Sequence, residues 1–174
     1  MVQADVDPLD PATQSGGFEA FYLREYQAVV QLAYALSGSR LAAEDIAQEA
    51  FLGAFRDWEG IRHPSAWVRK VVVRRAGRTT KRWLLEAGAL ARLLARRGPA
   101  VAELPEQDAE VWRAVRALPR RQAQVVALCY VADAPVAEIA QTLGLAEGTV
   151  KAQLHRARQT LAARLASAWE DDHA

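Results

Sequence analysis

Cysteine occurs once in the 174 residues, at Cys129, so the chain can form no internal disulfide and has no cysteine-based metal cluster, as suits a reducing compartment. Its setting between Val125 and Val131 reads as core, where apolar surroundings keep a thiol inert. Histidine is also scarce. His155 has no second ligand three or four residues away, and no metal site is expected. No apolar stretch reaches 18 residues, and the first eight residues lack a basic start and an apolar run. The expectation is a cytoplasmic chain with neither signal peptide nor membrane insertion. Missing too are a glycine-rich phosphate loop and any Ser-His-Asp or Cys-His constellation, so an enzyme, a cofactor or a small-molecule substrate has no support. Net charge is low as well, at +1, but that balance conceals a polarised distribution. Residues 1–60 carry ten acids against three bases, whereas residues 61–97 carry eleven bases against Glu86 alone. A nucleic-acid footprint depends on such local excess, not on the total.

What is present is helical patterning over an apolar content of 51%, enough for one domain or two small ones. Residues 1–17 are polar, with two prolines and two glycines, and read as a flexible tail. Apolar residues then recur at helical spacing from Phe18 to Leu36, and Ser37-Gly38-Ser39 stops the run. A second helix is expected over Ala42 to Trp58, its stripe formed by Ile46, Ala50, Phe51 or Leu52, and Phe55. Glu59 to Ser65 breaks the pattern. Pro64 or Ser65 then opens a third helix to about Leu85, with Trp67, Val68, Val71 and Val72 facing inward and bases on the other side. Residues 86–107 read as a linker, and residues 108–169 as a second domain with helices over Asp108 to Ala117, Arg120 to Val131, Val136 to Leu143 and Glu147 to Trp169. Residues 170–174 form an acidic tail. No strand run appears. The fold class is all-α: two small helical domains joined by a flexible linker, the C-terminal one a helix-turn-helix.

That last assignment rests on Gly144, which suits the left-handed cap that ends a helix two residues before the next begins. Ile139, Leu143, Leu145, Val150 and Leu154 would fix the crossing of the two helices. Along the second, Val150, Leu154, Ala157, Leu161 and Leu165 share one face, while Lys151, His155, Arg156 and Arg158 point elsewhere with no acid among them. A basic second helix after a tight glycine turn is the arrangement that enters a major groove.

From Phe18 to Arg164 the chain resembles the extracytoplasmic-function sigma factors of bacterial RNA polymerase. Leu118-Pro-Arg-Arg-Gln through Glu147-Gly-Thr-Val-Lys-Ala-Gln-Leu-His-Arg-Ala-Arg is similar to sigma region four. The segment from Ala43 to Trp58, followed by Ala66-Trp-Val-Arg-Lys-Val-Val-Val, is similar to region two. The resemblance implies binding to core RNA polymerase, with Glu44, Asp45, Gln48 and Glu49 on the clamp helices of its largest subunit and the C-terminal domain at the beta flap. It further implies that Trp58, Ile61, Arg62, His63, Trp67, Lys70, Arg74, Arg78 and Lys81 hold the melted minus-ten element, where cations track the backbone and pockets take unstacked bases. Glu147, Thr149, Lys151, His155, Arg156 and Arg158 would read the minus-thirty-five element as duplex. An anti-sigma factor is a further partner that the family suggests. The chain also departs from the family pattern: Arg78 replaces a commonly polar uncharged residue, and Gly77 sits in mid-helix at a cost of about 1 kcal/mol relative to alanine. Arg74 replaces a common Asn, so a group that only donates stands where one could also accept, and Ala146 replaces a Ser helix cap. Set against a sigma factor is a stand-alone helix-turn-helix regulator, which leaves the acidic and Trp-bearing helices unexplained.

Overall fold

The computed structural model describes residues 11–76 and 106–171. Helix α1 (Pro11–Ser37) precedes α2 (Arg40–Arg56), a single 3-10 turn (Trp58–Gly60) and α3 (residues 64–76). The second half contains α4 (Glu106–Arg116), α5 (Arg120–Tyr130), α6 (Val136–Leu143) and α7 (Glu147–Asp171). The end of the third helix, nearly all of the linker, Arg78 and Lys81 lie outside the described residues.

One expectation is overturned at the start. Residues 11–17 are helical, not a tail. Proline is tolerated in a first helical turn. Gly16 and Gly17 each cost about 1 kcal/mol relative to alanine, a local penalty that packing just beyond them outweighs: Phe18 meets Phe55 at 5.1 Å and Trp58 at 5.2 Å, both edge-on. Phe21 is buried against Phe51 and Trp58. The extended helix therefore buttresses the turn that follows α2.

The remaining starts and stops have local causes. Ser39 caps α2, its hydroxyl accepting from the Ala42 amide at 3.3 Å. Pro64, not Ser65, begins α3, and the His63 carbonyl accepts from the Trp67 amide at 3.0 Å. Gly144 adopts φ 65° at the end of α6, and the Leu145 amide reaches back to the Ala140 carbonyl at 2.9 Å, closing the turn in Schellman fashion. The absent Ser cap is made good by backbone, because the Ala146 carbonyl accepts from the amides of Thr149 at 2.9 Å and Val150 at 3.1 Å.

Both halves contribute to one continuous core. In the first, Leu32, Ala33, Ile46, Ala50, Val68 and Val72 are buried between α1, α2 and α3. In the second, Leu128, Ile139, Val150, Leu154 and Ala157 are buried among α5, α6 and α7. Helices α4 and α5 pack against α1, which joins the two. Cys129 is half-buried at the edge of this core instead of sealed within it.

Candidate nucleic-acid interface

The break between α2 and α3 builds an open cleft. The 3-10 turn bonds back through the Gly60 amide to the Asp57 carbonyl at 2.9 Å and the Ile61 amide to the Trp58 carbonyl at 3.2 Å. This turns the chain so that Ile61, Arg62 and His63 face Trp67 and Lys70 across a cleft of about 940 Å³, with Gln141 and Thr142 of α6 on its far rim. Arg62, His63 and Lys70 are exposed, while Trp58, Ile61 and Trp67 are half-buried. Trp58 is not a free platform, since its ring is held by Phe18 and Phe21. The cleft thus offers the cations Arg56, Arg62 and Lys70 and an apolar wall, a combination that suits single-stranded nucleic acid, with the exposed carboxylates of Asp57 and Glu59 also on its lining.

Trp67 owes its seat to Gly53. A Cβ there would lie 2.9 Å from the far edge of the indole, so the ring rests directly on the α2 backbone. Gly53→Ala trades about 1 kcal/mol of helix propensity gained against displacement of that ring. The expected result is a clear change in the indole N–H NMR resonance of Trp67 with stability altered by no more than about 1 kcal/mol. An unmoved resonance would mean that Gly53 does not set the ring position.

Arg74 is exposed further along α3, near Lys70, Arg120 and Arg121 around a second, smaller gap. On α2, Leu41, Asp45, Gln48 and Leu52 are not buried and follow one another at helical spacing along one ridge, the two leucines more than half exposed. The structure decides the ambiguity at the end of that helix: Phe51 is buried, whereas Leu52 and Phe55 are each 56% exposed. Phe55 therefore leaves the inward stripe assigned to it. Glu44 pairs with Arg40 at 3.2 Å, and Glu49 with Arg75 at 2.8 Å. Among the described residues Asp45 and Gln48 have no side-chain hydrogen bond or ion pair. Leu52 was missed because adjacent Phe51 and Leu52 fit the periodicity equally well, and Leu41 because it precedes the expected start of the helix.

The helix-turn-helix brings its expected core together, with Ile139 and Val150 fully buried and Leu143 and Leu145 partly so. Glu147, Thr149, Lys151, His155, Arg156 and Arg158 are all exposed. Arg158 is held in place, its Nε donating to the Tyr130 hydroxyl at 2.8 Å and its guanidinium 5.7 Å from that ring's centre. Tyr130, itself 53% exposed, joins this surface without having been foreseen. Its partner lies 28 residues away, beyond the reach of any local pattern. No helix among the described residues is long and apolar enough to cross a membrane, and none of their acidic, histidine or cysteine groups cluster to hold a metal.

Comparison with known proteins agrees with both halves. Residues 21–82 match the family model for sigma-70 region 2, and residues 108–161 that for sigma-70, region 4. The chain is 33% identical over 149 residues to the ECF RNA polymerase sigma factor SigE of Mycolicibacterium smegmatis, with 76% of this chain and 55% of that protein covered. With the ECF RNA polymerase sigma factor SigM of Mycobacterium tuberculosis it shares 30% identity over 155 residues, covering 83% of this chain and 75% of the relative. Among solved structures, the sigma factor RpoE in complex with the anti-sigma factor NepR from Bartonella quintana has the same fold. Its TM-score is 0.65 at 22% identity, covering 83% of this chain and 94% of that one.

Proposed function

The chain belongs to the extracytoplasmic-function sigma factors of RNA polymerase, transcription initiation factors and not enzymes, and from that premise we propose how its surfaces divide the work. The α2 ridge of Leu41, Asp45, Gln48 and Leu52 binds core polymerase at the clamp helices of the largest subunit. The cleft from Trp58 to Lys70, with Arg74, takes the melted minus-ten strand. Helix α7 reads the minus-thirty-five duplex from Lys151, His155 and Arg156, and its domain sits at the beta flap. The protein accordingly works in the cytoplasm, and an anti-sigma factor, as for RpoE, is part of the same proposal.

The observation that carries this reading is the exposed α2 ridge. It combines two exposed leucines, which suit a protein partner, with the acidic Asp45, which DNA would repel. The deciding experiment compares a promoter fragment's mobility with the purified chain, with core polymerase, and with both. The expected result is a specific shift only with both, and initiation mapped to one start. Strong specific binding by the chain alone would favour the stand-alone regulator.

Within this proposal Arg156 contacts phosphate. Each such contact contributes about 0.9 to the slope of log affinity against log salt. Arg156→Ala should therefore lower that slope by about 1 for holoenzyme on duplex DNA. Arg158→Ala should cost more than its charge alone, because it also frees Tyr130. A slope unchanged in Arg156→Ala would remove that residue from the contact surface.

A further inference from the structure

The basic face of α7 draws one group from another helix. Lys151, His155 and Arg158 follow one another at four and then three residues, so they share one side of α7, and all three are exposed. Among the described residues, Arg158 is the one of the three that another side chain holds. Its Nε donates to the Tyr130 hydroxyl of α5 at 2.8 Å, and its guanidinium lies 5.7 Å from the centre of that ring. Tyr130 is itself 53% exposed, so the ring is a bracket at the surface more than a part of the core.

Folding has little need of this pair. Helices α5 and α7 already pack together through buried Leu128, Val150, Leu154 and Ala157, and a polar contact between exposed side chains adds little to stability. The chemistry of the partner points elsewhere. A carboxylate in place of the phenol would orient Arg158 but cancel its charge. The phenol orients it and leaves the charge intact, and among the described residues no carboxylate pairs with Arg158. Two sets of donors then remain. With Nε occupied, the Nη1 and Nη2 edge stays free, the edge that grips a phosphate through two parallel bonds. The Tyr130 oxygen accepts from Nε, so its own proton is left for another acceptor, and none is present among the described residues. Position names that acceptor. In a helix that enters a major groove the first turns meet base edges. Arg158 lies seven residues beyond Lys151, about 10 Å along the axis, in a groove about 12 Å wide. It comes level with the strand that bounds the groove, where the acceptors are phosphate oxygens.

We propose that Tyr130 and Arg158 form a phosphate clamp on duplex DNA that joins α5 to α7: the phenol fixes the guanidinium, the guanidinium holds one phosphate through Nη1 and Nη2, and the Tyr130 hydroxyl donates to the same phosphate. The clamp fixes where α7 sits along the duplex, and so which base edges Lys151 and His155 meet. It rests on the reading of α7 as a duplex-binding helix, whether the chain works with polymerase or alone.

The test begins with the free full-length chain and NMR of its arginine side chains. The Arg158 Nε–H is expected to exchange with water severalfold more slowly in the parent than in Tyr130→Phe, which keeps the ring and should melt at the same temperature. Equal exchange rates would overturn the clamp. The second measurement is affinity for a duplex carrying the minus-thirty-five element, by holoenzyme and by the chain alone, across a salt series. Arg158→Ala should weaken binding about 10-fold and lower the slope of log affinity against log salt by about 1. Tyr130→Phe should weaken it about 5-fold with the slope kept, because no charge is lost. The same factor should hold on a duplex of unrelated sequence, because a phosphate contact carries no sequence information. In the Arg158→Ala background Tyr130→Phe should have an effect below about 2-fold, since nothing then orients the phenol proton. Equal affinity in the parent and Tyr130→Phe, or losses that simply add in the double variant, would leave the pair a brace and overturn the clamp, as would the absence of duplex binding in both forms. If the chain alone binds the element as tightly as holoenzyme does, the sigma-factor reading falls, and the same ratios still decide the clamp.

Discussion

Replacing Leu41 and Leu52 together by glutamate is expected to weaken association with core polymerase by roughly 30-fold, while the free protein melts as before. The affinity estimate comes from losing about 2 kcal/mol of apolar anchoring at the centre of an interface, with 1.4 kcal/mol corresponding to tenfold in Kd. The stability estimate comes from position. Both leucines are more than half exposed, and surface substitutions away from special features change stability by less than about 0.5 kcal/mol. A charge change at the same ridge should behave differently. Asp45→Lys is expected to slow association and to reduce its dependence on salt, since exposed charges steer encounter more than they hold a complex. Glu49→Lys is the poorer probe because it also breaks the ion pair with Arg75. Equilibrium titration of labelled holoenzyme components at two salt concentrations separates these cases. Unchanged affinity in the double leucine variant would move polymerase binding away from α2.

How far these surfaces could be read from sequence depended on whether their causes were local. The turn at Gly144 and the bounds of α6 were legible, because a left-handed cap and a 3.6-residue pattern are written into neighbouring residues. The basic face of α7 was legible for the same reason. At Phe51 and Leu52 the pattern was satisfied twice, and only the aromatic cluster of Phe21, Tyr22 and Tyr26 on Phe51 selects which residue turns inward. The helical course of residues 11–17 was hidden by Gly16 and Gly17, whose local cost argues for a break that distant packing overrides. The pairing of Arg69 with Glu138 joins residues 69 apart, and no periodicity reports on such a contact.

Ile139→Ala is expected to lower stability and duplex binding together. Ile139 is fully buried in α6, where it fixes the crossing with α7 against Val150 and Leu154. Truncation leaves a cavity and should cost about 2–5 kcal/mol, which at roughly 2–4 °C per kcal/mol for a chain of this size lowers the melting temperature by about 10 °C. Ile139→Val, removing one methylene, should cost about 0.5–1.5 kcal/mol, so a graded pair marks a packing effect and not collapse. Duplex binding through α7 should fall in the same order, because the crossing that presents Lys151 and His155 is loosened. An anisotropy titration of holoenzyme with duplex promoter DNA reads that order. Duplex affinity unchanged in Ile139→Ala would mean that the crossing does not set how α7 is presented.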